Sequence, residues 1–184
     1  MKGSGFDACT ASVPGKILST GAIAFALMTG LLIGTPATAS ADPDQTLVDL
    51  VNQQRAQNGC GPVTQNPQLI AAAQRQADDY ATLKTTDHTG SDGSTPGSRV
   101  RDTGYKATLV GEIMGGFGLN TDFATRPDLI DGWLNSPGHR KVMLDCRYTE
   151  IGMATTVTTL QGDANPTTFA VGVFAKPVNL PPGQ

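Results

Sequence analysis

The chain has 184 residues and a formal net charge of −3, enough length for one domain with a sizeable core and no excess of positive charge. No basic stripe interleaved with aromatics runs through it, which argues against nucleic acid as a partner. The mild acidity speaks for solubility and for nothing more specific.

Residues 1–41 read as an export leader. Lys2 and Lys16 precede an apolar run from Ile17 to Ile33, Pro36 breaks that run, and Ala39-Ser40-Ala41 supplies the small-x-small pattern of a signal-peptidase site. Cleavage is placed after Ala41, so that the mature chain begins at Asp42. The alternative is a retained membrane anchor, which Ser19, Thr20 and Thr29 within the run weaken. No second hydrophobic run follows, so no transmembrane span is expected after cleavage, and the domain is expected to be secreted or held in the cell envelope. Cys9 lies in the leader, which leaves Cys60 and Cys146 as an even pair in an exported chain. A disulfide is the expectation, with two separate buried thiols as the alternative.

The mature chain opens with a predicted helix over 44–57, with Leu47, Val48, Leu50 and Val51 as its inward face and Asn58-Gly59 as its stop. Asn52 and Arg55 fall on the remaining faces, where polar residues are ordinarily solvated, although Arg55 could also reach a neighbouring carboxylate. Asn66 caps a second helix beginning at Pro67, whose stripe of Leu69, Ala72, Ala73, Ala77, Tyr80 and Leu83 faces inward; it is expected to end near Lys84. Asp87-His88 then enters a turn-rich segment, 89–97, too small and polar to be core; a long loop of this kind is commonly functional or disordered.

A short helix is expected over 98–103, and a β-like run over 108–114 in which Glu112 interrupts apolar residues. Such a glutamate either faces solvent or is buried with a partner, because an unpaired buried carboxylate is costly. Alternation does not decide between the two, since Gly111 is silent. Thr125 caps the next helix, Pro127 suits its first turn, and Leu129, Ile130, Trp133 and Leu134 form its apolar face. Ser136-Pro137-Gly138 is expected to stop it, placing His139 just past a sharp corner and ahead of a short helix over 140–144. Strand-like segments over 150–160 and 168–175 flank a turn at 162–166 and pair best as a hairpin. Helices first and an antiparallel hairpin last read as an α+β layered domain over 42–176, followed by a Pro-rich tail, 177–184, that is not expected to fold.

The chain resembles the CAP superfamily of cysteine-rich secretory, antigen 5 and pathogenesis-related 1 proteins, in its bacterial extracellular form. The resemblance rests on Val51-Asn52 with Arg55, Ala77 with Tyr80, His88 with Asp92-Gly93-Ser94, Arg99 with Gly104-Tyr105, Gly111-Glu112, Trp133 through Arg140, and Ile151-Gly152-Met153. It implies a three-layer α-β-α sandwich around a central antiparallel sheet. It also implies a cleft in which His88, Glu112 and His139 gather around a weakly bound divalent metal such as zinc, supported by Ser136, Trp133 and Arg99. The family's fourth acidic member falls at Ser136 here, and Ile113 stands where an asparagine is common.

Three functions follow from that resemblance. The first is a cleft that binds a lipid or sterol-like molecule, a cell-surface component or a protein. The second is a zinc-dependent hydrolase, since two histidines and a carboxylate match one catalytic ligand set, though no His-Glu-x-x-His helix is present. The third is a polar cluster that merely orders the cleft, with no metal. The leader expectation is checked by intact mass: exported protein should match a chain beginning at Asp42, and a membrane-retained chain keeping residues 1–41 would overturn it.

Overall fold

The computed structural model describes residues 42–83, 87–119, 121–159 and 162–178. The expected leader, the end of the second helix near Lys84 and the tail over 179–184 lie outside the described residues. Helix α1 (Pro43–Gln57) starts on Asp42, whose carboxylate accepts from the Asp44 N–H at 3.0 Å. Helix α2 (Pro67–Leu83) starts on Asn66, whose side-chain oxygen accepts from the Gln68 N–H at 2.9 Å and whose amide donates to Glu150 at 2.8 Å. Helices α3 (Pro96–Asp102) and α4 (Arg126–Asn135) each carry a reciprocal cap, Thr95 with Ser98 and Thr125 with Asp128. Helix α5 (Pro137–Met143) follows α4 with Ser136 as the single residue between them.

Four strands, β1 (Thr64–Gln65), β2 (Ala107–Phe117), β3 (Glu150–Thr158) and β4 (Thr167–Pro177), form one sheet in the order β1-β3-β4-β2. Strand β4 is antiparallel to both neighbours, with Glu112 opposite Val173 and Met153 opposite Gly172, while the two-residue β1 adds a parallel edge to β3. The hairpin expected from sequence is the β3–β4 pair. Because β4 is interior, both of its faces are buried: Phe169, Val171, Val173 and Ala175 pack with α2 and α3, whereas Ala170 and Phe174 pack with α1, α4 and α5. These two apolar clusters, one on each side of the sheet, are the α-β-α sandwich that the resemblance implies.

The helices approach the sheet to different depths. A Cβ on Gly152 would lie 2.0 Å from the carbonyl carbon of Leu69, so the α2 backbone rests directly on β3 and no larger residue fits. On the other face, Trp133 is 1 % exposed and donates its indole N–H to the Met114 carbonyl at 3.1 Å, tying α4 to β2.

Four details depart from the sequence reading. Helix α5 begins at Pro137 rather than Arg140, because proline at a first helical position loses no bond that the helix needs; His139 therefore lies within its first turn. Strand β2 continues through Gly115-Gly116-Phe117, and β4 carries Lys176 and Pro177 before Val178 donates to the Lys106 carbonyl at 2.9 Å. Arg55 is fully buried and seeks no carboxylate. It donates to the carbonyls of Gly61 (3.0 Å), Met143 (2.9 Å), Asp145 (3.1 Å) and Tyr148 (2.9 Å), joining the end of α1 to the segment after α5.

Beside that network Cys60 and Cys146 are disulfide-bonded, with Cα atoms 4.8 Å apart and 86 positions between them in sequence. A bridge closing so long a loop restricts the unfolded chain strongly, so Cys60→Ser should lower stability by about 2–5 kcal/mol in urea titrations. Gly152→Ala should cost about 3 kcal/mol or more by the same measurement, because backbone cannot move aside as a side chain can; a near-neutral result would contradict the α2–β3 contact.

Candidate functional site

The turn-rich segment over 89–97 is an ordered loop rather than a disordered one. Asp79 on α2 accepts from both the N–H and the hydroxyl of Ser91, at 2.9 and 2.8 Å. Arg75, one turn earlier, pairs with Asp92 and, at 3.0 Å, with Asp102. Asp92 also accepts from the Ser94 N–H at 2.8 Å, and Gly90 N–H donates to the Ser94 carbonyl at 2.8 Å, closing a turn in which Gly93 takes a φ of 79° that favours glycine.

Two buried side chains hold the His88 backbone from beneath. Gln76 donates to the Asp87 carbonyl at 3.0 Å. The Arg99 guanidinium donates to the His88 carbonyl at 3.2 and 3.3 Å and to the Ser94 carbonyl at 3.1 Å. Its remaining reach goes to Glu112, with Nη2 2.7 Å from Oε2, and both side chains are essentially excluded from solvent. Glu112 thus belongs to the buried alternative, on the α2–α3 face of β2. A bidentate-capable cation and a carboxylate satisfy one another there, which is the condition for burying either.

The second Glu112 oxygen, Oε1, takes Nδ1 of His88 at 2.8 Å. The His88 side chain is 44 % exposed, so the chain runs Arg99, Glu112, His88 from the dry interior to the surface. The hydrogen bond to Glu112 raises the His88 pKa above the usual histidine value, against the opposing effect of partial burial. His139 approaches from α5 on the other side of β2, which is an edge strand: Val142 of α5 lies against Gly111, whose missing side chain leaves room for Val142 and the Tyr148 hydroxyl. Burial, and then the charge of His88, push the His139 pKa down.

The structure therefore brings His88, Glu112 and Arg99 into direct contact, and His139 joins them electrostatically across the edge of the sheet. Among the described residues, no group of three His, Cys, Asp or Glu side chains is placed to hold a metal ion. Each Glu112 oxygen already takes part in one hydrogen bond, Oε2 with Arg99 and Oε1 with His88. Ser136 links α4 to α5, and its hydroxyl makes no cap hydrogen bond. Trp133 supports the site only through β2.

Arg75 and Asp79 escape the sequence reading because they sit on the polar side of an alanine-rich stripe, and Gln76 because it is a polar residue buried within that stripe. Arg55 left a usable signal, since Leu47, Val51 and Arg55 recur every four positions and place the arginine on the buried face.

The cysteine-rich secretory protein family model matches residues 48–174. The protein YkwD of Bacillus subtilis (strain 168) is 26 % identical over 125 residues, covering 68 % of this chain and 46 % of YkwD. Among solved structures, an extracellular protein containing an SCP domain from Bacillus anthracis superposes with a TM-score of 0.58 at 23 % identity, over 72 % of this chain and 39 % of that one. An outer surface protein of Borrelia burgdorferi superposes with a TM-score of 0.61 at 20 % identity, over 73 % of this chain and 92 % of that one. The chain thus spans less than half the length of the two Bacillus proteins, and the solved structures speak for the fold.

The opposite shifts of the two histidines predict a stability profile. His139, with its pKa lowered, stabilises the fold above pH 6.5 and loses that contribution as pH falls through its folded value. His88, with its pKa raised, contributes fully below pH 6.5 and loses that contribution as pH rises through its folded value. Thermal unfolding in a metal chelator should show a maximum near pH 6.5 from this pair; His88→Gln should flatten the alkaline side and His139→Gln the acid side, and unchanged profiles in both variants would contradict the assignment.

Proposed function

The chain belongs to the cysteine-rich secretory protein family, and on that footing we propose that it is an exported binding domain whose ligand enters beside the His88 and His139 imidazoles. The observation that carries this reading is the Arg99–Glu112–His88 relay. A buried ion pair holds one edge of a half-exposed imidazole at 2.8 Å and leaves its Nε2 edge to meet a ligand. With Glu112 raising its proton affinity, His88 offers an N–H donor to a phosphate, carboxylate or hydroxyl oxygen on a lipid, a cell-surface component or a protein. His139, held toward the neutral form, supplies an acceptor or a second ring face. The extracellular and outer-surface descriptions of the two superposed structures support an encounter outside the cell.

A hydrolase is less well supported. Hydrolysis needs a nucleophile, or a metal-bound water, with a base in reach. Among the described residues no hydrogen bond joins Ser136 to His139, and Glu112 is committed to Arg99 and His88. A divalent ion retains two imidazoles as donors, which favours weak and reversible contact over a resident cofactor.

Two measurements test this reading. Sedimentation with phospholipid vesicles and with cell-envelope fragments should show retention that falls several-fold in both His88→Ala and His139→Ala, and equal retention of all three proteins would remove the cleft from the binding surface. Zinc calorimetry should give weak binding by wild type and none by either variant; tight stoichiometric binding would show that Glu112 is free to act as a ligand.

A further inference from the structure

Farther along β2 from Glu112, a separate pocket of about 380 Å³ opens between α2, β2, β4 and the loop before α4. Its walls are aromatic. Tyr80 and Phe169 meet edge to face with ring centroids 4.6 Å apart, and Phe123 lies against Gly132 of α4, where a Cβ would fall within 2.2 Å of its ring. Met114 adds a thioether, and Gly116 leaves part of the floor without a side chain.

The polar groups are few and of one kind. Asp122 is exposed at the rim and is the sole formal charge among the described lining residues. The Thr121 hydroxyl is occupied within the loop, accepting from Phe123 N–H at 3.2 Å and lying 2.7 Å from the Phe123 carbonyl. Tyr80 is 9 % exposed and lines the pocket from α2.

From these groups we infer that the pocket binds a small organic cation of the quaternary-ammonium type, its charge between the Tyr80, Phe123 and Phe169 rings and Asp122. Ring faces attract a cation through their quadrupoles, most strongly where water is displaced, and the carboxylate adds charge complementarity at the mouth. Among the described residues the lining contains no Lys, Arg or His to pair with an anion, and its two hydroxyls are too few for a sugar, which needs several donors and acceptors. The volume lies at the small end of ligand pockets, the scale of a head group rather than an acyl chain.

Choline is the direct probe, with 3,3-dimethyl-1-butanol as its neutral isostere. Amide resonances of Gly115, Gly116 and Asp122 in the full exported chain should shift saturably with choline, and the isostere should bind about tenfold more weakly. Asp122→Asn should weaken choline several-fold. Gly116→Ala should do so as well while leaving the unfolding temperature nearly unchanged, because the added methyl would meet the Phe169 ring at an ordinary 3.4 Å. His88→Ala should leave choline binding intact, which separates this site from the histidine cleft. Vesicles of phosphatidylcholine against phosphatidylglycerol then assign the source: selective sedimentation with the former makes the cation a lipid head group, and choline shifts without sedimentation make it a free solute. No saturable shift, equal binding of choline and its isostere, or indifference to Asp122→Asn overturns the inference.

Discussion

The ion pair between Arg99 and Glu112 is the constraint on which the histidine cleft depends. A carboxylate on β2 and a guanidinium on α3 are both withdrawn from water, and each is tolerable only because the other is present. Removing one partner from such a pair typically costs about 3–5 kcal/mol, because the survivor is stranded. The terminal nitrogens of Arg99 also donate to the His88 and Ser94 carbonyls, so the same side chain that neutralises Glu112 also fixes the loop carrying the imidazole. Charge burial and site placement are one event in this fold.

Much of the architecture was legible because it is written in local chemistry. Asn66-Pro67 and Thr125 announce helix starts through caps that the structure contains, and the near-continuous apolar run over 168–175 fits a strand buried on both faces, whereas the Thr95–Ser98 cap, read as loop, starts α3 at Pro96 rather than at Ser98. The α5 start was misplaced for a physical reason: Ser-Pro-Gly both ends one helix and begins another, and the same proline serves either purpose. Strand β1 has two residues, too few for any periodicity. Gly115-Gly116 fell beyond the strand-like run over 108–114, yet the strand continues through them, and at Gly115 the missing side chain admits Leu129 and the Trp133 ring, whose atoms would lie 2.6 and 3.1 Å from a Cβ.

The site was legible in membership and illegible in geometry. Both histidines and Glu112 could be named from the resemblance, but spacing along the chain says nothing about which oxygen of a glutamate is already taken. That is a property of three elements meeting, α3 and the loop after α2 on one face of β2 and α5 on the other. The resemblance alone placed Glu112 in the cleft, and its pairing with Arg99, thirteen positions away on a different element, could not be read from spacing.

Arg55 has a consequence for how the disulfide forms. Its four carbonyl partners include Gly61, which follows Cys60, and Asp145, which precedes Cys146. One guanidinium therefore gathers the immediate neighbours of both cysteines through bonds that need no oxidant. Thiols brought together by the fold react at a high effective concentration, and a mixed disulfide with any small-molecule oxidant resolves onto the adjacent sulfur faster than onto a distant one. The crosslink then records a folded arrangement that already exists, and oxidation serves as a latch on the finished domain rather than a guide to its assembly.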